Sequence, residues 1–151
     1  MNTVWIAAHD FSACSEVAVR QAARDAVIEG ARLVLLHALD PEVLAAPVEW
    51  ATGAVAVPMV SHLTEARAAA RHRLERVADE LRAEHPALET TVEVSEGHPV
   101  EVILEAAEQE EATRIIVGTH GRRGLRRLFL GSVAERVVRA SPVPVLVVRE
   151  P

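Results

Sequence analysis

Two hydropathy patterns alternate along the chain: short, nearly unbroken apolar runs, and longer stretches with an apolar residue every third or fourth position. The runs are Thr3–Ala8 (TVWIAA), Arg32–Leu39 (RLVLLHAL), Thr90–Ser95, Arg114–Gly118 (RIIVG) and Val143–Val148 (VPVLVV). Their length and β-branched content predict strands, the third more polar than the rest. Strands apolar on both faces belong to a parallel sheet covered by helices. Between them, Val19, Ala22, Ala23, Ala26 and Val27 mark one helical face, with Ser12 and Ser15 as candidate N-caps and Gly30 as the stop. Leu63, Ala66, Ala70, Leu74, Val77 and Leu81 predict a helix over 61–84, opposite an Arg/Glu-rich solvated face. Gly97-His98-Pro99 opens another helix, with Val100, Ile103, Leu104 and Ala107 inward. The last helix begins near Ser132, with Val133, Val137 and Ala140 inward. Asp40–Ser61 carries three prolines and Gly53 and reads as a long loop with one helical turn around Glu49–Ala51.

The order is βαβαβαβαβ. Right-handed crossovers turn it into one open α/β sheet with helices on both faces. There is no internal repeat and no second domain, so residues 1–151 form one domain. Pro144 inside the last apolar run points to an edge strand, a ready surface for pairing.

Composition narrows the chemistry. All 16 basic residues are Arg; Lys and Tyr are absent. Without Lys there is no Walker A loop, no Schiff base and no receiver-type acidic pocket with its Lys partner. Four aromatic residues and a net charge of −6 argue against nucleic-acid binding. The single Cys14 permits neither an intrachain disulfide nor a Cys-based zinc site. With no secretory pattern at the N-terminus and no 18-residue apolar span, the expectation is a cytoplasmic protein without membrane contact.

Open parallel sheets bind ligands beyond the carboxyl ends of their strands, at the switch in strand order. Those ends carry His9, Asp10 and Ser12, then His37, Ala38 and Asp40, then Glu96–His98, and finally the segment Gly118–Ser132. In that segment Gly118 and Gly121 allow close backbone approach or positive φ, and Gly131-Ser132 opens a helix whose free amides favour an anion. Backbone amides and the Ser132 hydroxyl make a phosphate cradle that needs no Lys. A glycine-rich turn that merely packs a helix fits the spacing equally well.

The pattern G-x2-G-x9-G-S/T, filled by Gly118, Gly121, Gly131 and Ser132, resembles the ATP-binding motif of the universal stress protein family. The stretch GTHGRRGLRRLFLGSVAERVVRASPVPVLVVR, the strand ending Asp10-Phe11-Ser12, the LLHAL strand and the Gly97-His98-Pro99 turn are similar as well. The resemblance spans the chain and is weakest over 40–61. It implies a flavodoxin-like, Rossmann-like sheet of order 3-2-1-4-5, usually a homodimer, and ATP held with Mg²⁺ or Mn²⁺. Carried over by position, Asp10 meets the ribose or adenine side with Ala8 nearby, and Ala38 lines the adenine pocket. Gly118 and Gly121 approach ribose and phosphates, while Gly131, Ser132 and Val133 hold the phosphates. His37 and His120 also occur in the family pattern, and His120 is counted with the binding set. His9 departs from it, standing where the family usually has a smaller or neutral residue.

Several of these residues admit plainer roles. Asp10 also fits a cap of the first helix, and Cys14 a small packing residue. His9, His37, His98 and His120 share one sheet edge but lack paired ligand spacing, so a cation arriving with phosphates is the expectation rather than a histidine metal site. Arg122, Arg123, Arg126 and Arg127 steer a triphosphate, dock an acidic partner at 122–127, or form a solvated loop face. No base is positioned for water and no hydrolase elbow is present, so the expectation is an ATP-binding regulatory or sensing module of the stress response with at most slow hydrolysis. The alternatives are a slow nucleotide hydrolase using His120 or His9 as base, and a dimeric interaction module without nucleotide.

Overall fold

Five strands run in the spatial order β3-β2-β1-β4-β5, all pairs parallel. They are β1 (Val4–Ala8), β2 (Arg32–Leu39), β3 (Thr90–Glu96), β4 (Arg114–Gly118) and β5 (Val145–Val148). The helices are α1 (Ala13–Glu29), α2 (Pro41–Leu44), α3 (Met59–Glu84), α4 (Pro99–Gln109) and α5 (Ser132–Ala140). This computed structural model describes residues 3–44, 59–120 and 130–151.

Period-two alternation along the strands divides the core in two. Trp5, Ala7, Leu33, Leu35 and Ile116 face α1 and α3. Val4, Ile6, Val34, Leu36, Ile115 and Val117 face α4 and α5. The small residues Ala18, Ala22, Ala23 and Ala26 let α1 lie close on the sheet, all of them fully buried. On the α1/α3 side, Ala70, Leu74 and Leu81 of α3 complete the buried face.

Helix ends follow local chemistry. Ser12 caps α1 by accepting the Ser15 amide at 3.2 Å, and Gly30 ends the helix at φ 66°. His98 caps α4 by accepting the Val100 amide at 3.3 Å on Nδ1, with Pro99 in the first turn.

Several features differ from the expectations above, among them α3, which begins at Met59 rather than Ser61. The stretch after β2 is not wholly loop: Pro41–Leu44 forms the one-turn α2, started by Asp40 Oδ1 accepting the Glu42 amide at 2.9 Å. The turn expected at Glu49–Ala51 lies outside the described residues. β5 begins at Val145 rather than Val143, because Pro142 and Pro144 lack amide donors and the Ser141 hydroxyl holds the Val143 amide. In α5 the buried residues are Ala134 and Val137, whereas Val133 is half-buried and Ala140, at the helix end, is exposed.

Candidate functional site

β1 is the centre of the strand order, and the chain crosses to opposite faces on either side of it. The connections leaving the carboxyl ends of β1 and β4 therefore run to opposite faces, and a cavity of about 570 Å³ opens above them. That size lies within the range of small-molecule sites. Its floor is Ala8, Leu36, Ala38 and Val117 from the strands. One wall comes from α4 and α5 (Pro99, Ile103 and Val133), the other from α3 (Ala66, Ala69, Ala70 and Arg73).

At the β1–α1 corner the polar groups bond mostly to one another. Asp10 Oδ1 accepts the Ser12 amide at 3.0 Å and the Ser12 hydroxyl at 2.5 Å. Asp10 thus orients the cap, and Ser12 makes it. His9 is buried. Its Nδ1 accepts the Phe11 amide at 3.0 Å, so the proton sits on Nε2, which donates to Glu16 Oε2 at 3.1 Å. Burial lowers the His9 pKa from its ordinary 6.5, although its hydrogen bond and charge contact with Glu16 pull the other way. His37 Nδ1 donates to the His9 carbonyl at 2.7 Å. The Phe11 ring lies between the two imidazoles, with centroids 5.1 Å from His9 and 4.6 Å from His37.

At the β4–α5 corner Gly118 is required by packing. A Cβ there would stand 2.9 Å from Cys14 Sγ and 3.1 Å from the Cys14 carbonyl carbon and oxygen. Cys14 is accordingly a buried packing residue, and the strand end fits directly against the start of α1. Thr119, passed over in the sequence reading, joins the corner together. Its amide donates to the Val148 carbonyl at 2.9 Å and its carbonyl accepts the Gly131 amide at 2.7 Å. Its hydroxyl lies 3.4 Å from Cys14 Sγ and 3.0 Å from His120 Nδ1. His120 Nε2 is buried and has no hydrogen-bond partner among the described residues.

α5 differs from α1 and α4, which begin at the same edge. Gly131 is its N-cap and supplies no side-chain hydrogen bond. The Gly131 amide is already held by Thr119, so the open donors of the first turn are those of Ser132, Val133 and Ala134, which have no described partner. The positive end of the helix dipole adds to them. Gly131, Ser132, Val133 and Ala134 all line the cavity.

Of the residues singled out in the sequence, Ala8, Asp10, Ala38, Gly118, His120, Gly131, Ser132 and Val133 line this one cavity. Gly121 and Arg122–Arg127 lie outside the described residues. His9, His37, His98 and His120 line it too, yet among the described residues no group of three or more His, Cys, Asp or Glu side chains is placed to hold a metal ion. Phe11, Leu36 and the α3 wall escaped the sequence reading. For the wall the α3 stripe gave the only signal, and it reads equally as core. Among the described residues no helix is long and apolar enough to cross a membrane.

Comparison with known proteins agrees with this geometry. The universal stress protein family model matches residues 1–149. A universal stress protein of Thermus aquaticus is 36% identical over 146 residues, covering 94% of this chain and 95% of that one. MJ0531 of Methanocaldococcus jannaschii is 46% identical over a shorter match, 46% of this chain and 41% of that protein. The structure of MJ0577, which is described as a hypothetical protein assigned a biochemical function from its structure, superposes with a TM-score of 0.82 at 26% identity, covering 100% and 98% of the two chains. Two further structures share the fold: a universal stress protein in complex with cAMP (TM-score 0.66, 24% identity, 99% and 98% covered) and one from Archaeoglobus fulgidus in complex with dAMP (TM-score 0.56, 19% identity, 98% of each). The sheet order, the cavity at the switch point and the match over nearly the whole sequence lead to one conclusion: this chain belongs to the universal stress protein family.

Proposed function

We propose that this protein binds ATP at the switch-point cavity and acts as a regulatory module in a stress response. The observation that carries the reading is the α5 N-terminus, whose first-turn amides open without a side-chain cap into a cavity that is otherwise largely apolar. Phosphates match the open donors and the dipole. The slot between Ala8, Ala38, Ile103 and Val133 suits a flat, apolar adenine. Asp10, between the two, stands where a ribose would lie. Chains of the same fold hold cAMP and dAMP, which supports an adenine nucleotide as the ligand class. Mg²⁺ or Mn²⁺ would enter on the phosphates and neutralise their charge.

At the β1–α1 corner, the state of His9 supports binding without rapid turnover. His9 is the imidazole nearest Asp10, but its Nδ1 lone pair is engaged by the Phe11 amide and its Nε2 proton by Glu16. It is therefore poorly placed to take a proton from water. The edge strand β5, with half-buried valines and one side unpaired among the described residues, is the surface through which we expect a homodimer. Titration calorimetry with ATP and Mg²⁺ tests the binding. A dissociation constant at or below about 100 μM is expected, and no binding at that level overturns the reading.

A further inference from the structure

We propose that His9 is a proton-operated latch on the nucleotide site: neutral, it holds the β1–α1 turn in its binding shape; protonated, it releases that turn and weakens the nucleotide. This rests on the nucleotide reading above. His9 Nδ1 accepts the Phe11 amide at 3.0 Å, and Asp10 Oδ1 accepts the Ser12 amide at 3.0 Å. Each side chain thus bonds the amide two positions on, and together they shape the turn that carries Asp10 and Phe11 to the cavity wall. The turn is held against a preference. Phe11 has φ 63°, in the left-handed region that bulky L-residues seldom occupy. Such strain persists only where neighbouring contacts maintain it, and the His9 acceptor is one of those contacts.

An imidazole differs from a hydroxyl or an amide in this role, because its acceptor titrates. Nε2 already carries a proton toward Glu16 Oε2 at 3.1 Å, so a second proton goes to Nδ1. Two N–H groups then face each other across 3.0 Å, and the Phe11 amide loses its acceptor. The ring has little freedom to turn away. His9 is 4% exposed, and the Phe11 ring packs on it at 5.1 Å. Glu16 is also shared with Arg20, which ties α1 to Glu80 and Glu84 of α3. The Nε2 side therefore stays anchored while the Nδ1 side lets go, and the strained Phe11 backbone is the part that moves.

The groups around the ring set the direction. Burial dominates and lowers the His9 pKa from its ordinary 6.5. Glu16 of α1 and Asp10, next in the chain, favour the added proton, and Arg73 of α3 opposes it. From β2, His37 donates its Nδ1 proton to the His9 carbonyl. The latch is accordingly shut at neutral pH and opens as pH falls through the lowered value.

The test compares the parent protein with His9→Asn, whose amide oxygen accepts the Phe11 amide in the same way but does not titrate. ATP–Mg²⁺ affinity is measured by calorimetry at about pH 8 and about pH 5, on either side of the imidazole range. Protonation of ATP itself, and of His37, His98 and His120, acts on both proteins and cancels in the comparison. On acidification the parent should lose at least about tenfold more affinity than the variant, the cost of an amide left without its acceptor. His9→Thr, with a hydroxyl as acceptor, repeats the comparison if the asparagine variant does not fold. Imidazole NMR supplies the reciprocal reading. Saturating ATP should move the His9 titration to lower pH, by about one pH unit for a tenfold difference, and in the free protein the Phe11 amide should shift along with it. Equal acid loss in both proteins, or a His9 that stays neutral until the protein unfolds, overturns the latch and leaves the nucleotide reading standing. Tighter acid binding by the parent than by the variant also overturns it, since the imidazolium would then be attracting phosphate. If ATP binds at neither pH, both fail.

Discussion

Two helix N-termini meet at the same sheet edge and are finished differently. α1 is closed by its own side chains: Ser12 accepts the Ser15 amide, Asp10 fastens Ser12, and the Ser12 carbonyl takes the Glu16 amide at 3.0 Å. α5 begins at a glycine that offers no side chain, and that glycine's own amide is tied to Thr119. A capped terminus stabilises the fold on its own. An uncapped one facing a cavity leaves donors for something else. α4, capped by His98, sides with α1. The three termini thus separate scaffold from site.

Substitutions should separate the two roles. The largest effect is expected at Gly131, where Gly131→Leu fills the approach to the α5 amides and should lower ATP affinity by about a hundredfold or more, as read by calorimetry. Retained affinity would mean that the phosphates lie elsewhere. Next comes Gly118→Ala, whose added methyl meets the Cys14 side chain and backbone. It should cost about 1–3 kcal/mol of stability in denaturant titration. Adding Cys14→Ala should recover only part of that cost, since the backbone contacts at 3.1 Å persist.

The paired serines sharpen the contrast. Ser12→Ala should cost about 1 kcal/mol of stability, with no direct loss of phosphate donors. Ser132→Ala should leave stability nearly unchanged and weaken ATP about two- to tenfold. The reverse pattern would exchange the roles assigned to α1 and α5.

The smallest effect is the pH dependence of the α1 corner. The His9 pKa in the folded protein is lowered by burial, so below the ordinary 6.5 the unfolded chain binds a proton that the folded one resists. The stabilising contribution is complete above about pH 6.5 and is lost as pH falls toward the lowered value. Melting temperature measured against pH should show His9→Gln with a shallower acid decline than the parent protein. Parallel curves would remove His9 from the account.

The strands and their order were largely legible because burial on both faces leaves unbroken apolar runs, as in RIIVG, where Ile115 and Ile116 are fully buried. The start of α5 was legible from Gly131-Ser132, but its reading as a phosphate cradle rested on the resemblance of the whole glycine pattern to the family motif. What escaped lies in tertiary contacts without a local pattern. The α3 stripe shows that Ala66 and Ala70 face inward, but not that part of that face borders a cavity. Gly118 illustrates the same limit: its spacing suggests ligand approach, while the contact that demands glycine is Cys14, over a hundred positions away in the chain. Nor does spacing reveal that the Gly131 amide is already committed to Thr119.

Backbone amide NMR during an ATP–Mg²⁺ titration reports which helix terminus meets the phosphates. Ser132, Val133 and Ala134 should shift most among the helix N-termini, while Ala13, Cys14 and Ser15 of α1 move little. Saturable ATP binding with the α5 amides unmoved, or with the α1 amides shifting in their place, would contradict the role assigned to α5.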